Sequence, residues 1–412
     1  MGRLRVGIEC RIDNFQQGVG TAILSLARDL CGNPGEAEHY TFIIFEDHRD
    51  LFSDLPPDRG TIMALPRPAL RSIKKSLSRI TPLRNCWRLA RATLSSLPLS
   101  DGTVEREGFD VVHFPTQVGY LTKIPFIYQP WDLQHVHLPQ FFSLDERISR
   151  NRVYKALCQR ARFVSVQTEW GKNDLVCQYG IEANKIEVIP WGSVLNAYPR
   201  PEEPDIEATR KKYRLPSQFL FFPAVTWAHK NHELAIRALN ELRKLGEDIS
   251  LVCTGNRTER YPFLEALARK CNVADRVRFL GFVNPVELQA IYSLATAMIF
   301  PSRFEGFGLP VLEAFHSGLP VLCARATVLP EVAGDAALFF DPDDPQEAAQ
   351  AIRSLIASPG LRAQMVQRGY ARASVMTVNR AAEQLRDLYR RAAGIATPAL
   401  QTASMPQFGR EH

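Results

Sequence analysis

No stretch of this 412-residue chain is apolar enough for long enough to span a bilayer. Its eight cysteines, at 10, 31, 86, 158, 177, 253, 271 and 323, form no CxxC pair and no other metal-ligand spacing. Reduced thiols packed as small hydrophobes are the expectation, and neither a disulfide scaffold nor a cysteine-held metal is predicted. The start, Met1 to Ile8, has two basic residues but no apolar stretch behind them, so it does not read as a secretion signal. Val6 stands where a myristoylation signal needs Ser or Thr. These absences together predict a cytoplasmic chain. No internal repeat is visible beyond a doubled α/β pattern.

One charge sign is also locally missing. From Arg67 to Arg91 there are eight Lys and Arg residues and no acid, although fifty basic against forty-four acidic residues leave the whole chain only at +6. Leu70, Ile73, Leu77, Ile80, Leu83, Trp87 and Leu94 interleave with those cations. A cationic amphipathic pattern of this kind suits docking on an anionic membrane surface, with a solvated helical face or a phosphate-rich acceptor site as alternatives. Nucleic-acid binding is not expected, because no stacking platform or recognised motif accompanies the charge.

What is present is the composition of a globular protein, 45% hydrophobic and 23% charged, at a length that calls for two or three domains. Short apolar runs alternate with helical patterns, which predicts parallel sheets wrapped by helices. The first series has strands at Leu4–Glu9, Tyr40–Phe45, Asp110–Phe114, Phe126–Gln129, Phe163–Val166 and Ile186–Ile189, with a helix over Thr21–Leu30 after a glycine turn. Four prolines between Pro190 and Pro204 then read as an exposed linker. The pattern restarts with strands at Phe219–Phe222, Ser250–Thr254, Val277–Phe279, Ala297–Phe300, Pro320–Cys323 and Ala337–Phe339. Helices are expected over His232–Lys244, Tyr261–Cys271, Pro285–Leu294 and Pro345–Ala357, and again over Ala381–Ala393. Ligands of open α/β sheets bind at the carboxyl ends of strands. Two such edges facing across a cleft could hold two substrates.

The most informative stretch is Pro301–Gly318, PSRFEGFGLPVLEAFHSG. The strand ending at Phe300 runs into a loop with Glu305, Gly306 and Gly308, and Pro310 then opens a helix that Gly318 stops. A glycine loop feeding a helix N-terminus offers free amides and a positive dipole end, which suits phosphate. Glu305 and Glu313 flank that cradle and are placed to accept hydrogen bonds from hydroxyls on either side of it, such as a sugar and a ribose. A lysine before the predicted His232 helix, Lys230, can neutralise diphosphate oxygens. Asp341-Pro-Asp-Asp344 reads as the cap and first-turn charge of the helix that follows.

FEGFGLPVLEA, with Glu305 and Glu313 eight apart, resembles the E-x7-E signature of retaining glycosyltransferase family 4 (glycosyl transferases group 1), which has the GT-B fold. The resemblance implies two Rossmann-like doubly wound domains facing across a cleft. It puts an N-terminal acceptor-side domain at 1–196, a linker at 197–215 and a nucleotide-sugar donor domain at 216–375. A C-terminal helix at 376–395 would pack back toward the N-terminal domain, before a disordered tail at 396–412. Carried over, Glu305 contacts the donor sugar, Glu313 the ribose, and the backbone of Gly306, Phe307, Gly308 and Leu309 lies near sugar and diphosphate. PAVTWAHKNHELAI (223–236) resembles the segment bearing the family's donor lysine, here Lys230, and is similar in wording to bacterial polysaccharide mannosyltransferases. Arg325–Leu329 would line the nucleotide pocket. QQGVGTAI (16–23) resembles the turn after strand one and brings Gly18, Val19 and Gly20 toward the transferred sugar.

Two departures stand out. Val225 occupies a position where many members have arginine, with His229 or Arg303 as the available compensation. Trp131 and Asp132 stand where many members carry a His-Asp pair, so a sugar contact falls to the indole face or to His135 or His137. The expected activity is retaining hexosyl transfer from a nucleotide-diphosphate sugar, GDP-mannose favoured over a UDP-sugar, to a glycan or lipid-linked acceptor. No prosthetic group is expected, and no metal, since no DxD-type motif stands at a matching place. A sugar-nucleotide epimerase or phosphorylase on the same fold, or a non-catalytic peripheral scaffold at the inner membrane face, are the competing readings.

Overall fold

The computed structural model describes residues 3–13, 15, 18–32, 37–67, 97–195 and 200–395. The basic segment beyond Arg67 and the tail from Thr397 lie outside the described residues. Among the described residues, thirteen strands form two sheets that are parallel throughout. The first holds β1 (Leu4–Glu9), β2 (Glu38–Phe45), β3 (Gly60–Leu65), β4 (Val111–Phe114), β5 (Phe126–Tyr128), β6 (Phe163–Val166) and β7 (Ile186–Val188), in the order β3-β2-β1-β4-β5-β6-β7. The second holds β8 (Phe219–Pro223), β9 (Ser250–Thr254), β10 (Val277–Gly281), β11 (Ala297–Phe300), β12 (Val321–Ala324) and β13 (Ala337–Phe340), in the order β10-β9-β8-β11-β12-β13. In each sheet the order reverses beside the first strand of the series, between β1 and β4 and between β8 and β11, and such a switch point is where open α/β sheets bind ligands.

The strand sequences explain why these sheets have no wet face. VVHF, AMIF and VLCA are buried at every position, as strands covered on both sides by crossover helices must be. The His232–Lys244 helix supplies one such cover, burying Leu234, Ala235, Ile236, Ala238, Leu239 and Leu242. His232 is buried as well, and the glutamates, arginines, lysine and Asn240 take the remaining positions.

The chain divides into two compact units, one reaching from the start to Pro190 and resumed from Val378, the other spanning Trp191 to Thr377. The resumption is a helix, Val378–Ala392, that packs on the Val19–Gly32 helix and buries Ala381, Ala382, Leu385, Leu388 and Tyr389. Each large apolar side chain so buried contributes about 1.5–3 kcal/mol. Polar contacts fix its register: the Tyr389 hydroxyl meets His113 Nδ1 at 2.8 Å, and Arg390 Nε donates to Glu38 Oε1 at 2.6 Å. Arg386 Nη2 donates to the carbonyls of Asp29 and Leu30, at 2.7 and 3.2 Å.

The expected linker over 197–215 is corrected. Its described part is largely a helix, Glu203–Tyr213, opened by a capping box between Glu202 and Asp205 with Pro204 in the first turn. Proline in that turn forfeits no intrahelical hydrogen bond, so a Pro-rich acidic run here starts a helix instead of spacing domains. The helix packs on Pro285–Leu294 and is tied to it by Tyr213 Oη, which donates to Glu287 Oε2 at 2.8 Å. A second correction concerns the first helix, which begins at Val19, so that Val19 and Gly20 are helical and only Gly18, at φ 52°, makes the turn.

Candidate functional site

The second unit gathers its polar side chains at the carboxyl ends of β8 and β11, which are neighbours in the sheet. The loop after β8 ends in a short 3₁₀ turn, Ala228–Lys230, and the loop after β11 runs from Pro301 to Gly308. Lys230 Nζ donates to Glu305 Oε1 at 2.6 Å, with side-chain exposures of 20% and 11%. The ammonium also lies 5.7 Å from the centre of the Phe300 ring. The Arg303 amide donates to His229 O at 2.8 Å, so the two loops are joined by backbone as well as by charge.

Three residues hold that geometry and were not singled out in the sequence. Asn231, buried and at φ 61°, donates through Nδ2 to the carbonyls of Pro301 (3.1 Å) and Pro342 (2.8 Å), binding the loops after β8, β11 and β13 together. A residue between Lys230 and a helix start could have been weighed as a cap, since Asn tolerates the left-handed region. Thr327 accepts at Oγ1 from the Glu305 amide, at 3.2 Å, so the Arg325–Leu329 segment supports the glutamate's loop. Tyr292 is the third. Its buried hydroxyl donates to Glu313 Oε2 at 2.8 Å, and no local pattern links two residues on different helices.

Glu313 is buried, and burial pushes its carboxyl up to about 7, against the Tyr292 hydrogen bond that favours the ionised form. With Oε2 taken by Tyr292, the other oxygen has acceptor capacity to spare. The Leu309–His316 helix bearing Glu313 has Gly308 at its N-cap, at φ 93°, and no side chain caps it. Pro310 has no N–H and the Val311 amide donates to Gly308 O at 2.9 Å, so an anion at this end meets the Leu309 amide and the positive end of the dipole. Gly318, at φ 68°, follows its end. Asp344 caps the next long helix by accepting from the amides of Gln346 and Glu347.

Around Val225 the two polar neighbours differ in what they offer. Arg303 is ion-paired with Asp343, and the His229 imidazole is pushed down to about 4, first by burial and then by the charge of Lys230. His229 is thus neutral near pH 7 and contributes no positive charge.

The first unit treats its named residues differently. Trp131 sits past β5 at φ 64° with 9% exposure, its Nε1 donating to Pro115 O at 2.8 Å. Asp132 accepts at Oδ1 from the Gln134 amide and so opens the one-turn helix Gln134–His137. His135 is buried at 2% exposure, meets the Tyr179 hydroxyl at 3.2 Å and packs edge-on against Tyr154. Burial pushes it down to about 4, so it is a neutral core imidazole. His137 Nε2 pairs with Asp174 Oδ1 at 2.8 Å. Gly18 stands before the first helix, past the end of β1, where Glu9 accepts from Arg11 and from the Tyr120 hydroxyl.

Comparison with known proteins fits both units. The family model for glycosyl transferases group 1 matches residues 205–372, and that for the glycosyl transferase 4-like domain matches residues 17–192. With two parallel α/β units, the chain belongs to the GT-B glycosyltransferase family, and it is a glycosyltransferase. The D-inositol 3-phosphate glycosyltransferase of Corynebacterium diphtheriae is 29% identical over 300 residues, 68% of this chain and 70% of that protein. The O-antigen chain mannosyltransferase B of Escherichia coli is 37% identical over 123 residues, 30% of this chain and 32% of its own length. Among solved structures, Anabaena HepE in complex with UDP and glucose superposes with a TM-score of 0.70 at 17% identity, covering 94% of this chain and 100% of that one. A likeness at that identity speaks to the fold. No described helix is long and apolar enough to cross a membrane.

Proposed function

We propose that the chain transfers a hexosyl group from a nucleotide-diphosphate sugar to a hydroxyl of a glycan or lipid-linked acceptor, with retention of anomeric configuration. The observation that carries this reading is the Lys230–Glu305 pair set beside an uncapped helix start that also bears Glu313. In the proposal, Lys230 turns from Glu305 to the diphosphate, and the amides of Gly306 to Leu309 receive its oxygens. Glu305 then accepts from sugar hydroxyls and Glu313 from the ribose.

The bond from the anomeric carbon to the diphosphate oxygen breaks as the acceptor oxygen bonds on the same face. The acceptor's proton passes to the departing phosphate oxygen. Preorganised positive charge on the leaving group is the largest catalytic contribution expected of such a site. GDP-mannose is the favoured donor, supported by likeness to a mannosyltransferase; the HepE complex with UDP and glucose keeps a UDP-sugar as the alternative. Arg67 is paired with Asp13 and Asp47; the seven cations from Arg71 to Arg91 would seat the chain on the anionic inner face of a membrane, toward a lipid-linked acceptor.

Hydrolysis or transfer assays with GDP-mannose and UDP-glucose, read by proton NMR at the anomeric centre, test the proposal. An α-linked product from an α-linked donor supports it, and an inverted product or an unlinked epimer rejects it.

A further inference from the structure

We propose that the first unit carries a second anion site, for a multiply charged phosphate compound, at the amino ends of β5, β6 and β7. A cavity of about 630 Å³ opens there, within the size range of small-molecule sites. Its walls are the run into β5, the turn between the Leu144–Arg160 helix and β6, and the 3₁₀ turn before β7. Lys123, Arg160, Arg162 and Lys185 line it, with Glu182 as the one acid and Asn184 as a neutral hydrogen-bonding group.

Helix capping accounts for part of this charge. The Leu144–Arg160 helix ends at the cavity, its carbonyl end favours cations, and Lys185 Nζ donates to Gln159 O at 2.6 Å. That leaves Lys123, Arg160 and Arg162, for which the described residues supply no acidic partner within ion-pair distance. Elsewhere in the same unit Arg11 pairs with Glu9, Arg28 with Asp54, Arg150 with Glu146 and Arg391 with Glu187. Three cations left together around one hollow repel each other, and a bound polyanion would replace repulsion with charge-assisted hydrogen bonds. The hollow lies at the opposite end of the strands from Gly18 and Trp131, and in the other unit from Lys230, so it serves neither candidate substrate position.

The shared chemistry is a phosphate anion, free in solution or on a lipid headgroup. The test uses the full chain carrying Lys230→Ala, which weakens anion binding at the candidate donor site. Pyrophosphate is titrated by calorimetry at low salt, and flotation with phosphatidylglycerol–phosphatidylcholine vesicles is run in parallel. Lys123→Glu with Arg162→Glu is the probing variant, because both residues are exposed and outside helices; Arg160→Gln is a milder second. Arg269→Glu with Lys270→Glu in the other unit controls for net charge.

The expected result is pyrophosphate binding that drops on the order of tenfold or more in the probing variant and not in the control. A drop confined to vesicle flotation supports the site and makes the headgroup its source. Equal binding by the probing variant, the control and the parent, with matched melting curves, overturns the proposal.

Discussion

The two units share a parallel sheet with a switch point beside its first strand, yet they use the same edge in opposite ways. At the end of β8 and β11, Lys230 and Glu305 meet each other at the mouth of an uncapped helix, and Glu313 retains an open oxygen. Past β5, Trp131, Asp132 and His135 are each bonded into their own unit, to a carbonyl, an amide and a tyrosine. One edge holds groups that can exchange a neighbour for a ligand, and the other has turned its named groups into structure. Our proposal assigns the diphosphate chemistry to the second unit.

The strongest way to break this comparison is to remove its charged pair. Lys230→Ala, or Glu305→Gln, should lower turnover by roughly a hundred- to a thousandfold and also lower the melting temperature, because the pair is only 20% and 11% exposed and the remaining partner is left uncompensated. Steady-state kinetics beside a thermal melt decides it, and a parent-like turnover would contradict the assignment. A structural counterpart lies at Gly255, at φ 108°, where an added Cβ would stand 2.7 Å from Val225 N and 2.8 Å from Ala224 C. Both obstacles are backbone, so Gly255→Ala should cost about 2–4 kcal/mol. In a denaturant titration, the second unit should unfold early while tryptophan signals from the first persist.

Tyr292→Phe sharpens the account within the second unit. Losing a hydrogen bond to a charged group should weaken nucleotide affinity about tenfold, and the pH profile identifies its cause. An ionised Glu313 accepts from ribose hydroxyls, so affinity should rise through an inflection near 7, the value to which burial pushes this carboxyl. Tyr292→Phe should move that inflection upward, and Glu313→Gln should abolish it. Stability runs the other way. Between the ordinary carboxyl value of 4.5 and about 7 the folded state keeps a proton that the unfolded chain has lost, so stability falls as pH rises through that window.

The smallest effects are expected in the first unit. Trp131→Phe loses one hydrogen bond, costing about 1 kcal/mol of stability, and His137→Gln loses the 2.8 Å contact with buried Asp174; neither should change turnover more than about threefold. A hundredfold loss from either would erase the contrast between the edges.

How much of this was legible depended on how local each feature is. The Leu309–His316 helix, the glycine that follows it and the Asp344 cap lie within a few residues of their signals, and they read correctly. Twelve of the thirteen described strands were visible, because burial on both faces leaves unbroken apolar runs; the missed one is β3 (Gly60–Leu65), an edge strand that is only partly buried. The Leu144–Arg160 and Glu169–Tyr179 helices, which carry charges around much of their surface, were not. Contacts distant in sequence were also hidden: Tyr292 with Glu313, Asn231 with Pro342, and Arg390 with Glu38. The Pro-rich run misled because proline marks a helix start as readily as a linker. His135 and Trp131 looked like site residues from their position after a strand, and only packing reveals that one is core and the other bound to Pro115.

The central claim is that the second unit holds a nucleotide diphosphate between Lys230, Glu305 and Glu313. Calorimetric titration of the parent and of Glu313→Ala with GDP, UDP and ADP tests it most directly. The account predicts micromolar binding of one nucleotide by the parent and its loss in the variant. Binding of none of the three, or unchanged binding by Glu313→Ala, would contradict it.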